Sequence, residues 1–202
     1  MFVTFEGLDG SGKTTQVERL RARLEAEGRE VVAVREPGGT ELGEGIRALL
    51  LHGPHMTAWA EAALYAAARA ELVEEVIAPA LERGADVLCD RYVDSSLAYQ
   101  GVARGLGVER VLELNLPGIR GLLPDRTFVL SLGPDESAER VGASPDRLER
   151  EGAAFRRRVE DGYRELAASY PSRIVTLDGL SPPGELADRI YSELHAELRR
   201  GS

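Results

Sequence analysis

Near the start of the chain, Gly7-Leu8-Asp9-Gly10-Ser11-Gly12-Lys13-Thr14 has the residue types and the spacing that hold a polyphosphate. The pattern is G-x-x-x-x-G-K-[ST], in which glycines let backbone N–H groups turn inward around phosphate oxygens. Lys13 then reaches the β- and γ-phosphates of a nucleoside triphosphate, Thr14 offers a hydroxyl to Mg²⁺, and Thr15 assists at the α-phosphate. All but one of the 25 basic residues are arginine, and the exception is Lys13. A compact ammonium on a flexible stem is what this position needs, and a planar guanidinium does not supply it. A second chemical element is Asp90, which ends the apolar run Val87-Leu-Cys-Asp90 and is followed at once by Arg91. The pair sets an anion for Mg²⁺, usually through water, beside a cation for phosphate.

These residues need a scaffold, and the hydrophobic pattern supplies one. Apolar, β-branched runs at Phe2–Glu6, Val31–Arg35, Asp86–Asp90, Thr127–Leu132 and Ile174–Leu177 alternate with amphipathic segments at 14–27, 42–51, 58–82, 93–103, 108–115, 135–141, 153–169 and 183–199. That alternation predicts an α/β fold with a parallel sheet. The first strand enters the glycine loop and an amphipathic helix leaves it, carrying Val17, Leu20 and Leu24, so the motif sits in the context that phosphate binding requires. Gly28 and Gly84 stand where helices end, and Pro79 is expected to kink or end the long third helix. The stretch 142–152 mixes breakers with charges and reads as a mobile surface excursion.

At 202 residues, with 43% hydrophobic and 29% charged, one domain spanning 1–202 is expected. The start shows no basic leader and no run approaches a membrane span, which leads us to expect a cytoplasmic protein without a membrane partner. A net charge of -9 argues against nucleic acid as a partner, so anionic ligands must meet local cations. Cys89 is the only cysteine and reads as a small buried hydrophobe. His52 and His55 share a loop with Gly53 and Pro54, and read as solvated; Arg156-Arg-Arg158 is interleaved with Phe155 and Val159 and reads as a solvated helix face. A chain whose only lysine is Lys13 cannot hold the Asn-Lys-x-Asp segment of guanine-specific proteins.

Four blocks together resemble the bacterial thymidylate kinases, P-loop nucleoside monophosphate kinases, over essentially the whole length. They are Phe5–Gln16, Arg35-Glu36-Pro37-Gly-Gly-Thr40, Asp90-Arg-Tyr92 with Tyr99-Gln-Gly101, and Asp146-Arg-Leu-Glu149. The resemblance implies a P-loop NTPase-type five-stranded parallel sheet surrounded by helices, a short mobile lid over ATP, Mg²⁺, a homodimer, and transfer of the ATP γ-phosphoryl group to dTMP. It implies that Arg47 grips the monophosphate, that Tyr65 stacks on thymine where the family usually has phenylalanine, and that Arg69 donates to O4. Ser96 corresponds to the position at the N3 edge, Tyr99 to the one against C2′ of the sugar, and Gln100 to a water-mediated contact. Asp9 is expected on the sugar or orienting cations, with Glu36 and Pro37 lining the dTMP side. Because Gly10 follows Asp9, the loop offers no arginine, and the catalytic cation is expected from Arg147, with Arg150 as second choice. The alternative for Arg47, Arg147 and Arg150 is an ordinary solvated charge, and for Tyr65, Ser96, Tyr99 and Gln100 plain packing or helix surface. Two other functions share the loop: a nucleoside kinase, which needs a carboxylate base for a neutral hydroxyl, and a regulator that hydrolyses ATP as a switch.

Overall fold

The computed structural model describes residues 1–140 and 147–198, so the expected excursion lies outside the described residues from 142 to 146. Five parallel strands, β1 (Phe2–Glu6), β2 (Val31–Arg35), β3 (Asp86–Asp90), β4 (Arg126–Ser131) and β5 (Ile174–Asp178), form a sheet in the order β2-β3-β1-β4-β5. The helices around it are α1 (Lys13–Ala26), α2 (Glu41–His52), α3 (Ala58–Leu72), α4 (Ala78–Glu82), α5 (Val93–Ser96), α6 (Val108–Asn115), α7 (Pro134–Arg140), α8 (Ala153–Ser169) and α9 (Pro183–Leu198). Strand β4 begins one residue earlier than the apolar run suggested, because Arg126 already lies in register with Val3.

Side-chain alternation on the strands builds two cores. Val3, Phe5, Leu88, Phe128 and Leu130 face α1 and α9, meeting Leu20, Leu24, Ile190 and Leu194. The opposite faces, with Phe2, Val87, Cys89 and Val129, meet Leu97, Phe155, Val159 and Tyr163. Buried positions on α1 recur as Gln16, Val17, Leu20 and Leu24, the 3.6-residue period of one helix face. Each such leucine stabilises the fold by about 1.5–3 kcal/mol. Thr40 and Thr57 cap α2 and α3 by accepting from the N–H groups of Gly43 and Ala60. Gly28 and Gly84 take positive φ after α1 and α4, as a left-handed helix exit requires.

The long helical pattern at 58–82 is not ended by Pro79. A π-helical turn, Val73–Ile77, precedes the proline, with the N–H of Ala78 bonded to Val73 O, and the helix then resumes as α4. The wider turn moves the carbonyl that the proline ring would strike in a regular α-helix. A second π-helical segment, Leu97–Ala103, follows α5 within the pattern at 93–103. It places Tyr99 and Gln100 against the site described below.

One buried ion pair ties α5 to the far side of the sheet. Asp94 has no exposed surface, and its carboxylate accepts from Arg173 Nη1 (2.5 Å), Arg173 Nη2 (2.8 Å) and Thr127 Oγ1 (3.0 Å). Removing the carboxylate strands the Arg173 cation at the start of β4 and β5. Asp94→Ala is expected to lose about 3–5 kcal/mol of stability, read as a lowered urea midpoint with an unchanged slope.

Candidate active site

The carboxyl ends of β1, β2 and β3 open into a cavity of about 420 Å³, where parallel sheets bind ligands. Its floor is the glycine loop. Gly7 has φ +131, and a Cβ there would lie 2.4 Å from Leu130 O, so only glycine lets the loop pass the sheet. Gly12 closes the loop in a left-handed conformation and caps α1 with no side chain on the helix N–H groups, which leaves them for an anion. Lys13 Nζ donates to Leu8 O (2.8 Å) and Gly7 O (3.2 Å) and sits 4.0 Å from Asp9. Burial, with Arg91 nearby, lowers its pKa to about 8 against the opposing pull of Asp9 and Asp90. Helix α7 steadies the loop from outside: Ser137 Oγ donates to Asp9 O (2.7 Å), and Arg140 Nη1 to Gly10 O (3.2 Å).

Beside Lys13, Thr14 Oγ1 donates to Asp90 Oδ2 at 2.6 Å. Among the described residues no trio of histidine, cysteine or carboxylate side chains could hold a metal by itself. A hydroxyl and one carboxylate fit Mg²⁺, which prefers hard oxygens and takes most of its shell from water and substrate phosphates.

Arg91 projects from the end of β3 with φ 70, an uncommon conformation for a side chain other than glycine. Its Nη2 meets Asp9 Oδ1 at 2.6 Å, while Nη1 donates to Ser95 Oγ (3.2 Å) and Tyr163 OH (3.3 Å). Both hydroxyls also bond Glu6, which accepts further from the N–H groups of Tyr92 (2.8 Å) and Ser95 (3.2 Å). Burial raises the pKa of Glu6, and Asp94 adds to the rise. Burial also works against ionised Asp9, yet Arg91 and Lys13 outweigh it and bring Asp9 down to about 2.

The far wall carries the other expected residues. The Glu36–Pro37 peptide is cis, and Pro37 O accepts from Arg35 Nη1 and Arg47 Nη1, both at 2.9 Å. Tyr65, Ser96, Tyr99 and Gln100 line this end, with Tyr99 set edge-on to Phe155 and Tyr163. Glu36 is 5% exposed; burial lifts its pKa against the pull of Arg69, and its Oε1 has no hydrogen-bond partner.

Three expected site arginines are not brought into the cavity. Arg69 is 1% exposed, and its donors are taken by Glu36, Ser96, Asn115 and the carbonyl of Tyr92, so it lies behind the wall. Arg147 gives its guanidinium to Glu61 (2.6 Å) and to Leu50 O (2.8 Å) and does not line the cavity. Arg150 is exposed and does not line the cavity. Gly7, Leu8 and Ser11 back the loop, whereas Gly10, Gly12, Thr14 and Thr15 face the cavity. Sequence reasoning passed over Arg35, Ser95, Leu51 and Leu148, which line it, and Glu6 and Tyr163, which hold Arg91. Glu6 left a signal as the acid that closes the uncharged run Phe2–Phe5; Tyr163 left none. Cys89 is buried, as expected, and His52 and His55 are exposed.

A family profile described as "Thymidylate kinase" matches residues 5–190. A thymidylate kinase of Synechococcus sp. (strain JA-3-3Ab) is 50% identical over 198 residues, covering 98% of this chain and 97% of the relative. One from Bifidobacterium longum (strain DJO10A) is 51% identical over 204 residues, with 98% and 97% covered. The crystal structure of thymidylate kinase from Ehrlichia chaffeensis superposes with a TM-score of 0.73 at 36% identity, covering 88% of this chain and 91% of that one.

The depressed pKa of Lys13 sets a pH dependence for triphosphate binding. Below pH about 8 the ammonium is already present, and affinity should be flat. Above it the free site holds a neutral amine that must take up a proton on binding, so affinity should fall by up to ~10-fold per pH unit. Calorimetry from pH 7 to 9.5, in buffers of different ionisation enthalpy, should find that proton uptake; a flat profile would mean that the amine titrates in its ordinary range.

Proposed function

The chain belongs to the thymidylate kinase family and transfers the γ-phosphoryl group of ATP to dTMP, giving dTDP and ADP in dTTP synthesis, and we propose that the cavity is where both substrates meet. The observation that carries this reading is the Asp9–Arg91 pair, which ties the glycine loop to the end of β3 in the cavity that Glu36, Tyr65 and Tyr99 also line. ATP lies along Gly7–Thr15, with Lys13 on its β- and γ-phosphates. The dTMP phosphate faces Arg91 and Arg47. Its base lies at Tyr65, Ser96 and Gln100, its sugar at Asp9 and Tyr99, with Glu36 and Pro37 alongside.

The attacking oxygen belongs to a phosphate whose second pKa is ~6, so it is already deprotonated at neutral pH and no base is needed. The difficulty is bringing two polyanions together. Cations fixed beforehand lower that barrier because nothing must reorganise during transfer. Arg91 is such a cation, held by Asp9, Ser95 and Tyr163. Asp9 remains ionised and acceptor-only, suited to orienting Arg91 and receiving a sugar hydroxyl. Thr14 and Asp90 are the residues that would hold Mg²⁺, which supplies charge to the β- and γ-oxygens when bound. Leu51 and Leu148 give the cavity apolar edges that keep water from the phosphoryl group. Arg69 serves the acceptor through Glu36 and Ser96, since its own donors are already engaged.

The same reading takes the chain as one catalytic domain, located in the cytoplasm where ATP and deoxynucleotides are used. Among the described residues no helix is long and apolar enough to cross a membrane. It also takes the active form as a homodimer. Support for that comes from exposed Leu42 and Leu49 on α2, Trp59 on α3 and Leu114 on α6, with α3 packed against both other helices.

ADP release measured with dTMP, dUMP, UMP, dCMP, AMP, thymidine and no acceptor tests the function. The highest kcat/KM should fall to dTMP, with dUMP about 10–200-fold lower for the missing methyl. Equal ADP release without acceptor would make the chain an ATP hydrolase, and preference for thymidine a nucleoside kinase. Lys13→Ala should abolish transfer while calorimetry still finds dTMP bound.

A further inference from the structure

Glu61 is 1% exposed in the first turn of α3 and does not line the cavity, yet three side chains from two separate segments converge on its carboxylate. Gln100 Nε2 donates to Oε1 (2.8 Å), and Arg104 donates to both oxygens through Nε (3.2 Å) and Nη2 (3.0 Å). Arg147 Nη1 reaches Oε2 at 2.6 Å. Arg147 is fixed further by its N–H on Leu51 O (3.1 Å) and its Nε on Leu50 O (2.8 Å), and Arg104 also pairs with Glu151 (2.6 Å). Burial works against the charge on Glu61, but Arg104, Gln100 and Arg147 outweigh it and lower its pKa.

An ionised carboxylate accepts hydrogen bonds and donates none. It therefore fixes which way the Gln100 amide lies: the NH₂ group must face Glu61, and the carbonyl oxygen is left for the cavity that Gln100 lines. A fixed acceptor there suits a base edge that presents a ring N–H, as thymine and uracil do at N3. It does not suit cytosine, whose N3 is itself an acceptor. The same carboxylate anchors Arg147, whose neighbour Leu148 lies at the cavity edge.

We propose that Glu61 is a positioning residue that sets pyrimidine specificity by orienting Gln100, and that Arg147 is its counter-ion and anchors the segment Arg147–Glu151 without acting as the cation of the transferring phosphoryl group. The proposal rests on reading the cavity as the dTMP site, and deepens it. It uses two links, from Glu61 to Gln100 and from Glu61 to Arg147.

The test compares kcat/KM for dUMP and dCMP, two acceptors that share the missing methyl and differ at the N3 and C4 edge. In Glu61→Gln the new amide can donate as well as accept, so Gln100 is free to turn over. The dUMP:dCMP ratio should then fall by about 10-fold or more, since a buried hydrogen-bonding site strongly rejects the wrong edge only while its orientation is fixed. Gln100→Met should lower the same ratio even if Glu61→Gln fails to fold, and an unchanged ratio in either folded variant overturns the proposal. Arg147→Met should raise the KM for dTMP by about 10-fold, within the range of coupled neighbours, while kcat holds. A loss of kcat by ~10³-fold with KM unchanged would restore Arg147 as a phosphoryl-contacting arginine and overturn its assignment here. Wild-type protein that turns over neither dTMP nor dUMP would count against the function itself, and not against the link between Glu61 and Gln100.

Discussion

Glu6 is a carboxylate without exposed surface at the end of the central strand, and the site is arranged around the need to satisfy it. A buried acceptor left without partners costs about 1–3 kcal/mol, more when charged. Here the donors are the N–H groups of Tyr92 and Ser95 and the Ser95 hydroxyl at α5, and the Tyr163 hydroxyl on α8, so elements distant in sequence are pulled to one point. The hydroxyls of Ser95 and Tyr163, once held by Glu6, become fixed partners for Arg91, and Arg91 fixes Asp9 in turn. The positive φ of Arg91 costs roughly 1–3 kcal/mol, and this network over-determines the conformation that carries it.

The rest of the charge follows the same rule. A chain with a net charge of -9 has to receive anions, and arginines near its site are tied to carboxylates: Arg91 to Asp9, Arg69 to Glu36, Arg104 and Arg147 to Glu61. Such pairs seldom add stability beyond what apolar packing of similar volume would give. What they add is a fixed direction for each guanidinium, which matters where substrates carry several negative charges.

Most of the scaffold was legible in the sequence because its signals are local. Strands β1, β2 and β3 and helices α6 and α8 coincide with their apolar periodicity, and the glycine loop works through backbone chemistry that glycine spacing records. The π-helical turns were not legible, since Val73–Ile77 looks like continuous helix until the position of Pro79 against its preceding turn is known. The candidate site divides along the same line. Residue types at Arg69 and Arg147 fitted phosphate or base contacts, but their depth is set by partners Glu36 and Glu61, dozens of residues away. Tyr163 is aromatic within a helix stripe, and only the topology carries it to Arg91.

The solitary lysine has a consequence outside catalysis. Within this chain the only side-chain primary amine lies on the floor of the cavity, 6% exposed, and half of it is neutral and nucleophilic near pH 8. Amine-directed reagents, such as acyl esters or phosphate-bearing aldehydes, therefore have a single internal target, and occupancy of the phosphate cradle shields it. Covalent labelling, which on most proteins scatters over the surface, becomes on this one a direct report of whether the cradle is filled.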